Sequence, residues 1–489
     1  MSATDSGISG LDARELHAGY LRGDFAPSEV IASSLSRIDE LDGGPSGLRA
    51  VISRIDAGEV PAFDPSLPLG GLPILVKDNI DTASLPTTAG SLALEGSKPS
   101  DDAQVVAAIR RLGGAVIGKT NLSEWANMRG THSSSGWSAL GGQCRNPHVL
   151  DRSPGGSSSG SAVAVAAGYV PLALGTETDG SVLCPAALNG VFGFKPTHGV
   201  LPTRGVIPIA SSQDTVGLFA RSAKDVSYAF GALVGDLRAE RGMGSGFDGA
   251  LDRARSRSFT IGVPRSGFFG YSPKADAVFE EALEAVRGAG IAVVDEVDAK
   301  TGSDFAMSEE DELVVLIWEM HHDLGAYLAA RGVAGASSIE EIVAFNAAHP
   351  RRELELFGQE HLEAAITLEG YTEAGYRRAR SENQRRAEGA IARAKTLGEV
   401  DVLCVPTMGP AWTIDHVNGD FVSGAGYSVA AVAGAPSISV PIGEVSGLPV
   451  GMTVFSHAYA DTQVLAAAER IAEILAVRLT PRFLPRIDS

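Results

Sequence analysis

Three short stretches of this chain carry side chains that could do chemistry together. One is Ser153-Pro-Gly-Gly-Ser157-Ser158-Ser159-Gly160-Ser161, and another is Gly175-Thr-Glu-Thr-Asp-Gly180-Ser181-Val-Leu-Cys-Pro185. The third is Val76-Lys77-Asp78-Asn79. Ser157 and Ser181 stand 24 residues apart, which leaves room for a helix and a strand between them. A serine hydroxyl is a poor nucleophile until a base takes its proton. Neither serine segment contains a histidine, so the candidate base is Lys77. A lysine can act as a base only when neutral. Its ordinary pKa is ~10.4, and burial among apolar groups lowers it by disfavouring the ammonium. Lys77 follows Ile74-Leu75-Val76, which predicts a partly buried strand end. A strand-end lysine alone is usually solvated, and serines in glycine-rich runs usually make turns. Only the three stretches together point to nucleophilic hydrolysis.

Other motif matches compete. Gly113-Gly-Ala-Val-Ile-Gly118-Lys119-Thr120 fits the GxxxxGK[ST] phosphate loop. A phosphate loop follows a strand and opens a helix, so that its N–H groups can wrap phosphates. Here a helix precedes, and Ala-Val-Ile is strand material, so nucleotide binding over Gly113–Thr120 is a remote alternative. Gly244-Ser-Gly246-Phe-Asp-Gly249 fits GxGxxG, but no strand leads into it. Gly156-Ser-Ser158-Ser-Gly160 fits the GxSxG nucleophile elbow, which would make Ser158 the nucleophile. No strong strand precedes it, so this is a minor alternative. Cys184 lacks a paired histidine and reads as a buried structural cysteine.

In this order and spacing, the Gly-Gly-Ser-Ser and Gly-Thr-x-x-x-Gly-Ser motifs with the upstream Val-Lys-Asp-Asn resemble the amidase signature family of Ser–Ser–Lys hydrolases. Phe194-Lys-Pro-Thr197, Gln213-Asp-Thr215 and Gly118-Lys-Thr-Asn121 match the family as well. The chain is most similar to its bacterial peptide amidases, through Gly175–Ser181, Asn121-Leu-Ser-Glu-Trp-Ala-Asn127, Ser135-Gly-Trp-Ser138 and Phe357-Gly-Gln-Glu360. The resemblance runs from about residue 10 to about residue 475 and implies the following roles. Lys77 takes a proton from Ser157, Ser157 takes one from Ser181, and Ser181 attacks an amide carbonyl. Ser157 follows a cis peptide bond. Backbone N–H groups of Thr178, Asp179, Gly180 and Ser181 hold the oxyanion, and Ser158 supports the network. The reaction implied converts a carboxamide to a carboxylate plus ammonia or an amine, with the C-terminal amide of a peptide as leading substrate. Aryl amides, carbamates and esters are the alternative substrates. No metal or organic cofactor is implied. The chain departs from the family pattern at Asp179, where many members have glycine, and at Ser159, often glycine too. The tRNA-dependent amidotransferase subunits typically carry arginine where Leu183 stands, which favours a stand-alone hydrolase.

The surrounding elements must position these residues. Gly70–Lys77, Ala115–Ile117, Val402–Pro406, Pro436–Ile442 and Val450–Phe455 read as strands, the last two around a Gly-Leu-Pro turn. Ser28–Leu41, Asp101–Leu112, Ser161–Ala167 and Thr462–Leu475 read as helices, with Ser28 as N-cap. Phe259–Val263, Lys274–Ala289 and Ile291–Val297 form a βαβ unit, which implies parallel pairing. Residues 236–256 read as a loop. The expected fold is one α/β domain over residues 10–480, built on a mostly parallel mixed sheet with helices on both faces. Its core at 65–230 carries the lysine and serines, and 308–396 is a helical substrate-side region. Residues 1–9 and 481–489 read as tails. The length of 489 residues and the 44 % apolar content support a sizeable core. A net charge of −19 repels phosphate backbones, so no nucleic-acid partner is expected. Three cysteines argue against a disulfide framework and for a reducing compartment. No signal peptide or bilayer-spanning run is visible, and a cytoplasmic location is expected. A homodimer stays open.

Overall fold

The strands Pro73-Ile-Leu-Val-Lys77 and Leu172-Ala-Leu-Gly-Thr-Glu177 lack apolar–polar alternation, and every residue in both is buried. Strands of that kind belong in a sheet covered on both faces. The computed structural model, which describes residues 10–56, 58, 63–240 and 246–487, has such a sheet. The strands are β1 (Val51–Arg54), β2 (Pro73–Lys77), β3 (Ala115–Thr120), β4 (Trp137–Ser138), β5 (Gly142–Gln143), β6 (Leu172–Glu177), β7 (Phe192–Lys195), β8 (Thr215–Ala220), β9 (Thr260–Val263), β10 (Ala292–Asp295), β11 (Val402–Pro406), β12 (Ser437–Val445) and β13 (Leu448–Phe455). Eleven of them form one sheet in the order β1-β3-β2-β6-β8-β7-β12-β13-β11-β9-β10, and β4 pairs with β5 apart from it.

The sheet is mixed. Parallel pairing groups in two wings, β3-β2-β6 and β11-β9-β10, where helical crossovers join the strands. From β6 through β8, β7, β12 and β13 to β11 each neighbour is antiparallel, as is β1 on β3. The expected βαβ unit is β9, the helix Pro273–Gly288 and parallel β10. β12 and β13 form a hairpin. Its turn is Ser446-Gly447 rather than Gly-Leu-Pro, with both residues at positive φ, as a tight two-residue turn requires.

Side-chain direction alternates along each strand and feeds two cores. Ile74, Val76, Val116, Leu172 and Leu174 pack with the helices Ala13–Arg22, Gln104–Arg111, Ala223–Glu240 and Asp461–Leu475. Leu75, Ile117, Ala173 and Phe219 face the other way, into the helices Pro27–Leu41, Ser159–Ala166 and Leu183–Asn189. Near β11, Leu403 and Val405 pack instead on the long helix Glu373–Gly398.

Several boundaries differ from the sequence reading. The helix expected from an N-cap at Ser28 starts at Pro27 with Ala26 as N-cap, since proline suits the first helical position. The stretch read as a loop holds the end of Ala223–Glu240 and the helix Phe247–Arg255, whose Phe247 and Leu251 are buried. Gly244 of the GxGxxG match lies outside the described residues, and Gly246 is the N-cap of that helix. Of the expected tails, residues 1–9 and 488–489 lie outside the description. Residues 481–487 do not hang free at Phe483 and Leu484. These donate backbone N–H bonds to Pro147 and His148. The three cysteines are free and buried. No helix among the described residues is long and apolar enough to cross a membrane.

The helical region Glu309–Gly398 docks on the sheet domain through Arg129. Its guanidinium lies 3.8 Å from the Phe357 ring centroid and 5.0 Å from that of Trp137. It donates to Glu124 Oε1 (2.8 Å), Phe357 C=O (3.0 Å) and Gly358 C=O (3.1 Å), and Glu353 lies 3.6 Å away. All three charged side chains are fully buried. Burial raises the Glu124 carboxyl to about 8, against the pull of Arg129. Removing the cation would strand two buried acids. Arg129→Ala is therefore expected to cost about 3–5 kcal/mol in urea unfolding. A cost below about 1 kcal/mol would show that this ion cluster does not hold the region in place.

Candidate active site

Period-two alternation along β2 sends Lys77 to the same face as Leu75. That face is covered by the helices Ser159–Ala166 and Leu183–Asn189, which begin just after Ser157-Ser158 and Ser181. β6 pairs with β2 and delivers the second serine segment beside the first. Lys77 Nζ donates to Ser157 Oγ (2.8 Å), Thr176 Oγ1 (2.9 Å) and Thr176 C=O (3.3 Å). Asn79 Nδ2 donates to the same Thr176 hydroxyl (2.9 Å). Burial lowers the Lys77 pKa to about 7, and the charges of Asp214 and Glu177 oppose that fall.

The Gly156–Ser157 peptide bond is cis. A Cβ on Gly156 would stand 2.2 Å from Ser123 Oγ, so a larger residue here would have to displace that hydroxyl. Ser123 N–H in turn donates to Ser157 C=O (3.1 Å). Exposure rises from 0 % at Lys77 and Ser157 to 8 % at Ser181, so Ser181 is the group of the three nearest solvent. The two serine segments are joined by Ser158 N–H, which donates to Ser181 C=O (3.1 Å).

Carboxylates shape the Thr178–Ser181 loop. Glu177 Oε2 accepts from Val182 N–H (2.7 Å) and Leu183 N–H (3.0 Å). Gly180 has φ 74°, and a Cβ there would meet the Tyr427 ring at 2.3 Å. Thr178 Oγ1 donates to Asp214 Oδ1 (2.6 Å), and Asp214 Oδ2 accepts from Ile209 and Ala210 N–H (2.9 and 3.1 Å). Burial raises Asp214 to about 7. Asp179 lies beside Glu312, from the helical region, and Ser428. Burial and then the Glu312 charge push its carboxyl well above the usual range. Gln213 Nε2 donates to Glu312 Oε1 (2.9 Å). Sequence reasoning missed Thr176, Asp214 and Glu312. Thr176 and Asp214 lie inside the quoted motifs, whereas no local signal marks Glu312.

Ser158 is not placed as a nucleophile. Its Oγ donates to Thr176 C=O (3.0 Å) and accepts from Thr176 N–H (3.2 Å). Ser158→Ala removes a partner from the buried Thr176 N–H and leaves its C=O only the longer Lys77 contact, which loosens the residue that holds Lys77. The expected loss is about 1–3 kcal/mol of stability together with a fall in kcat. Thermal unfolding and steady-state kinetics read both, and an unchanged kcat would remove the supporting role. The phosphate-loop match is a buried strand. Lys119 Nζ is consumed by Ile80 C=O (2.7 Å), Thr87 Oγ1 (2.7 Å) and Pro86 C=O (3.2 Å), so it cannot reach a phosphate.

This fold and its sequence define an amide hydrolase. The chain matches the Amidase family over residues 47–465 and belongs to it. It is similar to the native peptide amidase from Stenotrophomonas maltophilia, at 39 % identity and a TM-score of 0.87, with 98 % of this chain and 99 % of that one covered. It is also similar to a glutamyl-tRNA(Gln) amidotransferase subunit of Symbiobacterium thermophilum, at 35 % identity over 94 % of this chain and 95 % of that protein. A probable amidase of Arabidopsis thaliana is 30 % identical over 85 % of this chain and 79 % of its own length.

Proposed function

We propose that the protein hydrolyses the C-terminal carboxamide of peptides to a carboxylate and ammonia. The observation that carries this reading is the contact of the buried Lys77 with Ser157, beside the more accessible Ser181. Neutral Lys77 takes the Ser157 proton as Ser157 takes that of Ser181. Ser181 Oγ then forms a bond to the amide carbon, and the oxygen's negative charge is held by backbone N–H groups of Thr178, Asp179, Gly180 and Ser181. Each such donor is worth ~2.7–4 kcal/mol of barrier. The C–N bond breaks as the proton returns through Ser157 to nitrogen, and ammonia leaves. Water then attacks the Ser181 ester, giving up its proton through the same relay, and the carboxylate product leaves with Ser181 restored. The proposed domain is 10–480, with 308–396 lining the substrate side through Glu312.

A second reading, ammonia supply to a tRNA-bound acyl group, has the amidotransferase relative in its favour. Against it, Leu183 is a fully buried apolar residue where arginine is expected of those subunits. The test measures ammonia from a small peptide amide, its free acid and glutamine, and the arylamine from an acyl-anilide. Release from the peptide amide is expected. Release from glutamine alone would favour the amidotransferase reading. Cleavage of only the anilide would move the substrate class to aryl amides, carbamates or esters.

A further inference from the structure

Beyond Ser123 the backbone makes a turn that L-amino acids avoid. Trp125 (φ 52°), Ala126 (φ 52°) and Asn127 (φ 75°) are consecutive left-handed residues, and none is glycine. A run of this kind persists only where its surroundings enforce it, and such backbone concentrates at ligand clamps and active sites. The surroundings here are the two catalytic segments. On one side, Ser123 N–H holds Ser157 C=O. On the other, Ala126 packs with Ile209 and Ala210, whose N–H groups hold Asp214, which in turn holds Thr178. Met128 and, from the helical region, Leu316 close the same small apolar cluster. The turn therefore bridges the Ser157 and Thr178 segments.

Asn127 ends this turn and is partly exposed. Its Oδ1 is nevertheless buried and has no hydrogen-bond partner among the described residues. A buried amide oxygen is normally satisfied, and a donor from a bound molecule would satisfy this one. We propose that Asn127 Oδ1 accepts the backbone N–H of the substrate residue whose carboxamide is hydrolysed. Asn127 is then a specificity-determining residue that selects peptide amides over other acyl amides. This rests on the peptide-amide reading above.

The experiment compares N-acetyl-leucinamide with the analogue in which an ester oxygen replaces the leucine N–H, and reads ammonia. Asn127→Gly keeps the left-handed backbone and removes the acceptor, while Asn127→Asp keeps an acceptor oxygen. Wild type is expected to prefer the N–H compound. Asn127→Gly should lose about tenfold or more in kcat/KM on that compound alone, chiefly through KM, and Asn127→Asp should retain the preference. Equal losses on both compounds with wild-type activity intact would overturn the assignment of Asn127 alone. No ammonia from wild type with either compound would overturn the peptide-amide reading, and this assignment with it.

Discussion

Ser181→Ala is expected to lower kcat/KM for ammonia release by about 10⁴-fold or more, with unfolding temperature little changed. The bond-forming oxygen is gone, so an acyl-enzyme cannot form. What survives is binding and the backbone donors, which alone still accelerate hydrolysis over water. Ser181 is slightly exposed and its backbone contact to Ser158 is through its carbonyl, so the truncation leaves little buried polar surface unpaired. Adding Ser157→Ala to this variant should cost almost nothing further, because members of one relay are not additive. Mass spectrometry of protein quenched during turnover should find the acyl adduct on the peptide containing Ser181. Undiminished activity in the variant would return the nucleophile to Ser158.

Lys77→Met should lower kcat by about 10²–10⁴-fold, the usual worth of a positioned base. The wild-type pH profile gives the same base a signature. Lys77 has its pKa lowered to about 7, so kcat/KM should rise with pH and level off above that value. Below it the amine holds a proton and cannot take one from Ser157. The apparent midpoint belongs to the coupled relay rather than to one group. Stability carries the same sign. The unfolded lysine titrates near ~10.4, so between about 7 and that value the unfolded chain holds the extra proton. The fold should therefore gain stability from Lys77 as pH rises through this window, and Lys77→Met should flatten that rise. A rate profile with no acidic limb would contradict a base that must be neutral.

Much of this site is legible in local sequence because its parts are local. Ile-Leu-Val before Lys77 marks a buried strand, and the glycines at 155, 156 and 180 mark backbone that a Cβ would obstruct. What escapes is set by distance along the chain. Glu312 meets Asp179 only because the helical region folds back over the sheet. Lys119 looks like a phosphate ligand in sequence, yet β3 buries it among carbonyls. The helix Phe247–Arg255 is obscured by its Gly, Asp and Arg content, since only Phe247 and Leu251 anchor it. The antiparallel centre of the sheet is equally hidden. Apolar runs show that strands are buried but not which neighbours they choose.

β10 and β11 flank β9 on either side, and both run parallel to it. All the helical region from Glu309 to Gly398 is strung between those two flanking strands, so its ends are fixed by the sheet whatever lies between. Closing a longer excursion costs little, since the entropy of loop closure grows only with the logarithm of its length. Evolution could therefore lengthen, shorten or replace this excursion without shifting the register that sets Lys77 against Ser157. On the proposed reading, in which this excursion lines the substrate side, the architecture separates the reaction from part of the choice of substrate. On that reading, grafting the excursion of a relative onto this sheet is expected to change which amides are accepted.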